Sequence, residues 1–89
     1  MIITLEISMY PLNADYKPAI KAFVRQLGGH DGLQIVTNQM STQVRGEFDT
    51  VTGAVNACIK KTMAGNDKVV FVTKCLNGDL DISRLPDLD

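Results

Sequence analysis

The spacing of apolar residues predicts an α+β chain of order β-α-β-β-α-β, and three observations carry that reading. Two stretches repeat their apolar residues every three to four positions, the helical period, while three others alternate apolar with polar residues, as half-buried strands do, and a fourth is rich in β-branched and aromatic residues. The middle two strands lie so close in sequence that they must pair antiparallel. Right-handed crossovers then give a four-stranded antiparallel sheet with both helices on one face, a ferredoxin-like sandwich.

The first strand is expected from Ile2 to Tyr10. Ile3, Leu5, Ile7 and Met9 share one face, Thr4, Glu6, Ser8 and Tyr10 the other, and Pro11 ends the run. Asn13 or Asp15 is the expected cap of the first helix, whose stripe is Tyr16, Ile20, Phe23, Val24 and Leu27. Pro18 falls in its first turn, where a missing N–H costs little, and Gly28-Gly29 stops it.

The second strand is expected from Leu33 to Met40, and the third alternates Thr42, Val44, Gly46 and Phe48 with Gln43, Arg45 and Glu47. Charges flanking Gly46 suggest a bulge or a close backbone approach, with an anion contact from Arg45 as the functional alternative. Asp49 or Thr50 should cap a second helix with the stripe Val51, Val55, Cys58, Ile59 and Thr62 or Met63, ended by Gly65. Gly53 inside this helix costs about 1 kcal/mol relative to alanine, which suggests close packing against the sheet. Lys68 to Leu76, rich in Val, Phe and Thr, is expected as a strand in the sheet interior. Residues 77–89 read as an acidic, turn-rich tail that is expected to fray, although Leu80, Ile82, Leu85 and Leu88 could dock on a neighbour.

With 89 residues, the chain is expected to form a single domain over residues 1–89, of modest stability that a partner subunit would raise. Nine basic residues against ten acidic ones, with no basic run, leave no footprint for a nucleic-acid partner. The longest unbroken apolar run, Val69 to Val72, is too short for a membrane span. Glu6 directly after Met1–Leu5, with no basic n-region, argues against a signal peptide, so a cytoplasmic location is expected. Cys58 and Cys75 read as core thiols. His30 stands alone in a Gly-Gly-His-Asp-Gly turn, without the further ligands a metal requires. Neither a metal nor a cofactor is expected, and no catalytic residue: paired carboxylates and a nucleophile with its base are missing from the spacing.

The sheet face away from the helices is expected to carry Thr4, Glu6, Ser8 and Tyr10, then Gln34, Val36, Asn38 and Met40, then Val70, Val72, Lys74 and Leu76. Such a mixed surface suits another sheet, a ligand, or both.

Ile7-Ser8-Met9-Tyr10-Pro11-Leu12, Tyr16 with its helix, Thr37-Asn38-Gln39-Met40-Ser41-Thr42, and Arg45-Gly46-Glu47-Phe48-Asp49 together resemble the YkoF-like and MTH1187-like thiamine-binding proteins in order and spacing, over almost the whole chain. The resemblance implies a ferredoxin-like fold and homodimers or homotetramers formed through the sheet face. It also implies binding of thiamine or its hydroxymethylpyrimidine moiety without catalysis.

An aminopyrimidine offers an N–H donor beside a ring-nitrogen acceptor, and the thiazolium of thiamine carries a fixed positive charge. On that expectation Ser8, Asn38, Ser41 and Thr42 hydrogen-bond the pyrimidine edge, Tyr10 or Met40 covers a ring face, and Glu6 faces the cation or the amino group. Simpler roles remain open for the same residues. Ser41 and Thr42 suit a hairpin turn, Glu6 can pair with Lys74 across the sheet, and Tyr10 can be an ordinary strand-end residue. The alternative function is a regulatory or structural module that senses a ligand and oligomerises through the open sheet face; an enzyme using Glu6 or Asp49 as acid or base comes third.

Overall fold

The computed structural model describes residues 1–65 and 68–88; Asp89, the end of the expected tail, lies outside the described residues. The elements run β1 (Ile2–Pro11), α1 (Lys17–Gly28), β2 (Gln34–Thr37), β3 (Thr42–Glu47), α2 (Phe48–Gly65) and β4 (Val69–Leu76). The strands form one sheet in the order β2-β3-β1-β4, with every neighbouring pair antiparallel. This is the expected ferredoxin-like α+β arrangement. Because β1 sits beside both β3 and β4, it bonds along both edges. Ile7 faces Thr42 on one side and Thr73 on the other.

The alternation in β1 becomes a difference in burial. Ile3, Leu5 and Ile7 join Phe23 and Leu27 of α1, Val44 of β3, and Val51, Ala54, Val55 and Cys58 of α2 in one core. Phe71 packs against its margin, its ring centroid 5.1 Å from that of Phe23. The other row, Thr4, Glu6, Ser8 and Tyr10, stands beside Leu76, Lys74, Val72 and Val70 of β4.

Several local features depart from expectation. β4 lies at an edge of the sheet, paired only with β1. Its β-branched and aromatic residues report a pleated, half-covered surface, and say nothing about the number of neighbours. Thr73 and Cys75, although level with Ile7 and Leu5 in the sheet, are exposed, so Cys75 is no core thiol. Cys58 is buried, and loss of water around it raises its thiol pKa.

Neither expected helix cap forms. The N-cap of α1 is Tyr16, which makes no capping hydrogen bond, with proline in the first turn. α2 follows β3 without a loop, the Phe48 N–H donating to the Met1 carbonyl at 2.9 Å, so Asp49 lies inside the first turn, where a negative charge still suits the helix dipole.

Gly53 is exposed with open space beside it, so its presence has no packing cause. Gly46, by contrast, is in close approach. A Cβ there would lie 2.9 Å from the Gly32 carbonyl oxygen and 3.2 Å from a Val51 methyl, while the β1–β3 register runs through Gly46 without a bulge. The left-handed residue of the loop before β2 is Gly32, with φ 81°.

Residues 78–80 do not fray. The Thr4 hydroxyl donates to the Gly78 carbonyl at 2.8 Å and accepts from the Leu80 N–H at 3.2 Å, while Arg45 is paired with Asp79. The chain therefore bends back over the open face at the Thr4–Arg45 row, leaving Thr4 only 7% exposed. Beyond it, Leu85 and Leu88 are exposed.

Candidate functional site

A cleft of about 490 Å³ opens at the end of the sheet where β1 runs out. One wall is the strand end, Ile7 to Leu12. Tyr16, Ile20, Phe23 and Val24 of the first helical turns form a second wall, and Thr37 to Thr42, the tip of the β2–β3 hairpin, a third. The α1 stripe thus does two jobs: Phe23 and Leu27 close the core, while Ile20 and Val24 stay half-buried because the cleft opens beside them.

The hairpin tip is built by Asn38. Its N–H donates to the Ser41 carbonyl at 3.0 Å, and its side-chain Oδ1 accepts from the N–H groups of Met40 (2.9 Å) and Ser41 (3.1 Å). This side-chain mimic of a backbone turn ends β2 at Thr37, three residues before the expected end at Met40. It also frees the Ser41 hydroxyl from turn duty. Ser41 Oγ donates to Glu6 Oε2 at 2.8 Å and accepts from Gln43 Nε2 at 2.8 Å. The Thr42 hydroxyl is 3.0 Å from that of Thr37 in the facing strand.

Of the seven residues predicted as ligand contacts, Ser8, Tyr10, Asn38, Met40, Ser41 and Thr42 line the cleft. Glu6 does not; it stands behind Ser41, with Lys74 Nζ 3.7 Å from its second carboxylate oxygen. That pair, with an 81% exposed lysine side chain, is the cross-strand contact the alternation allows, and it contributes little. The cleft itself is not on the open sheet face, where the polar set was expected. It reaches under the strand end to the helix side, and for that reason Tyr16, Ile20, Phe23 and Val24 went unrecognised as wall residues. Their signal was a helical stripe that begins at Tyr16, five residues after the strand ends at Pro11, which reads equally well as plain core.

No charged side chain lines the cleft among the described residues. What it offers is apolar and aromatic surface with a few hydroxyls and amides gathered at the hairpin tip, a combination suited to a flat, polar-edged ring. Elsewhere among the described residues, no group of three or more His, Cys, Asp or Glu side chains could hold a metal ion. No described helix is long and apolar enough to cross a membrane.

A sequence model of the YKOF-related family matches residues 2–81. Solved structures share the fold at low identity. Protein SP2199 from Streptococcus pneumoniae is 20% identical, with a TM-score of 0.81 over 90% of each chain. Hypothetical protein MJ1052 from Methanocaldococcus jannascii is 22% identical, with a TM-score of 0.74 over 98% of this chain and 88% of the other. A Thermotoga maritima protein described provisionally as a thiamine biosynthesis/salvage protein is 16% identical, with a TM-score of 0.80 over 93% of this chain and 92% of the other. At these identities the likeness speaks for the fold alone. No curated protein matches the chain.

Proposed function

This chain belongs to the YKOF-related family, and on that footing we propose that it binds thiamine, vitamin B1, or its hydroxymethylpyrimidine moiety, without transforming it. The observation that carries the reading is the composition of the cleft. A pyrimidine needs a hydrogen-bonding edge between apolar faces, and the hairpin tip supplies Asn38 and Ser41 opposite the Ser8 hydroxyl, with Tyr10, Tyr16 and Met40 available for the ring faces. The thiazolium cation finds aromatic faces there instead of a carboxylate. The titratable side chains in the lining are the phenols of Tyr10 and Tyr16, with no carboxylate, histidine or lysine in that lining to complete an acid–base pair among the described residues. We place the activity in a cytoplasmic carrier or buffer serving salvage or transport, with no cofactor.

Isothermal titration with thiamine and with hydroxymethylpyrimidine tests the reading. Saturable binding that weakens about tenfold or more in Asn38→Ala supports it, and no heat at millimolar ligand overturns it.

Self-association through the open sheet face, as a homodimer or homotetramer, is part of the same proposal. Tyr10, Val70 and Val72 are 52%, 44% and 50% exposed on one patch of that face. One observation favours the alternative of a ligand-sensing module. Tyr10 belongs both to the cleft wall and to the open face, so an occupied cleft and a paired face share a residue. Sedimentation with and without ligand separates the two: a carrier keeps its oligomeric state, a sensor changes it.

A further inference from the structure

The hydrogen bonds around Ser41 and Asn38 leave each with only one way to address a ligand. A serine hydroxyl has one proton and two lone pairs. The proton of Ser41 is committed to the Glu6 carboxylate, and one lone pair accepts from the Gln43 amide. Toward the cleft, Ser41 Oγ can only accept. Asn38 is the reverse. Its Oδ1 already takes two backbone N–H groups of the turn, so what remains is its amide NH₂, which can only donate. The polar corner of the cleft therefore presents an acceptor beside a donor, in a fixed order.

We infer that Glu6 is a positioning residue that, through Ser41, makes the site selective for an amino group next to an unprotonated ring nitrogen, and against the oxo form of the same ring. This inference rests on the ligand reading above and goes beyond it by naming what sets the selectivity. A 4-aminopyrimidine gives its exocyclic N–H to Ser41 and receives the Asn38 N–H at its ring nitrogen. The 4-oxopyrimidine has both reversed. Its carbonyl meets the Ser41 lone pair and its ring N–H meets the Asn38 N–H, so both hydrogen bonds are lost and like groups are opposed. Glu6 touches no ligand in this arrangement. It acts by holding the Ser41 proton away from the cleft, with Lys74 beside its other oxygen.

The test is titration of the parent protein, Glu6→Gln and Ser41→Ala with two probes, 4-amino-5-hydroxymethyl-2-methylpyrimidine and its 4-oxo analogue. The parent should prefer the amino probe about a hundredfold or more. In Glu6→Gln the new amide can donate to Ser41 Oγ and release its proton toward the cleft, so the preference should fall to about tenfold or less. Ser41→Ala should lose affinity for the amino probe while its weak binding of the oxo probe holds or improves. The ratio between probes is the readout, because a merely structural loss would weaken both alike. Equal binding of the two probes by the parent, or an unchanged ratio in Glu6→Gln, overturns the role of Glu6 and leaves the ligand reading standing. No binding of either probe at millimolar concentration overturns this inference, and overturns the ligand reading as well when thiamine also gives no heat.

Discussion

The two ends of β1 are built from the same alternation and end in opposite states. At Ile3–Leu5 the strand is covered on both sides: Ile3 and Leu5 are 1% and 6% exposed in the core below, and the returning tail covers Thr4 above. At Ser8–Tyr10 neither side is filled. Met9 is only half-buried, Tyr10 is 52% exposed, and the cleft takes the space that core side chains occupy at the other end. A strand that is a structural rod at one end and a binding wall at the other needs no change of pattern. It needs only that the covering elements stop short.

Truncating one isoleucine at each end gives the largest expected effect. Ile3→Ala removes a buried side chain from the sealed end and should cost about 2–4 kcal/mol. Ile20→Ala removes a half-buried wall of the cleft and should cost less than about 1.5 kcal/mol, while weakening ligand binding. Urea unfolding measures both, and equal losses would mean that the cleft end is packed as tightly as the core.

Two glycines sharpen the same contrast at smaller scale. Gly46→Ala forces a Cβ onto the Gly32 carbonyl beneath the sealed end and should destabilise by about 1–3 kcal/mol. Gly53→Ala adds a methyl to an open helix surface and should stabilise by about 0.5–1 kcal/mol, raising the melting temperature by a few degrees. A loss of stability in Gly53→Ala would reveal a constraint on α2 that open space does not show.

The smallest effect is the pH response of the tail. The hydrogen bond from Arg45 holds the Asp79 carboxyl below its ordinary range, and Asp79 in turn raises the guanidinium pKa. A depressed carboxyl pKa means that the docked tail binds fewer protons than the free tail. Its contribution is full above the ordinary aspartate range and is lost as pH falls through the lowered value. The backbone N–H of Leu80, which donates to Thr4 Oγ1, should therefore shift in nuclear magnetic resonance spectra only as the pH falls below the ordinary aspartate range. A shift complete at pH 5 would show that the ion pair is not what holds the segment.

How far the sequence was legible differs between these regions for physical reasons. Element order, both helix stripes and the inward row of β1 follow from periodicity, since burial of one face imposes it directly. Six of the seven candidate residues line one cleft because the strand end and the hairpin tip are both marked by local chemistry, a proline after Tyr10 and an Asx turn at Asn38. The edge position of β4, the exposure of Cys75 and the docking of residues 78–80 left no local mark. Each depends on which strand lies beside which, and pairings such as Thr4 with Gly78 join residues 74 apart.

By itself the sequence determined the sandwich and the residue types at its unsealed end, because hydrophobic periodicity and turn chemistry act over a few neighbours along the chain. Only the tertiary structure decided where the cleft opens and which way its polar groups face. A hydroxyl such as that of Ser41 carries no direction in the sequence, and acquires one when Glu6, from a strand 35 residues away, takes its proton.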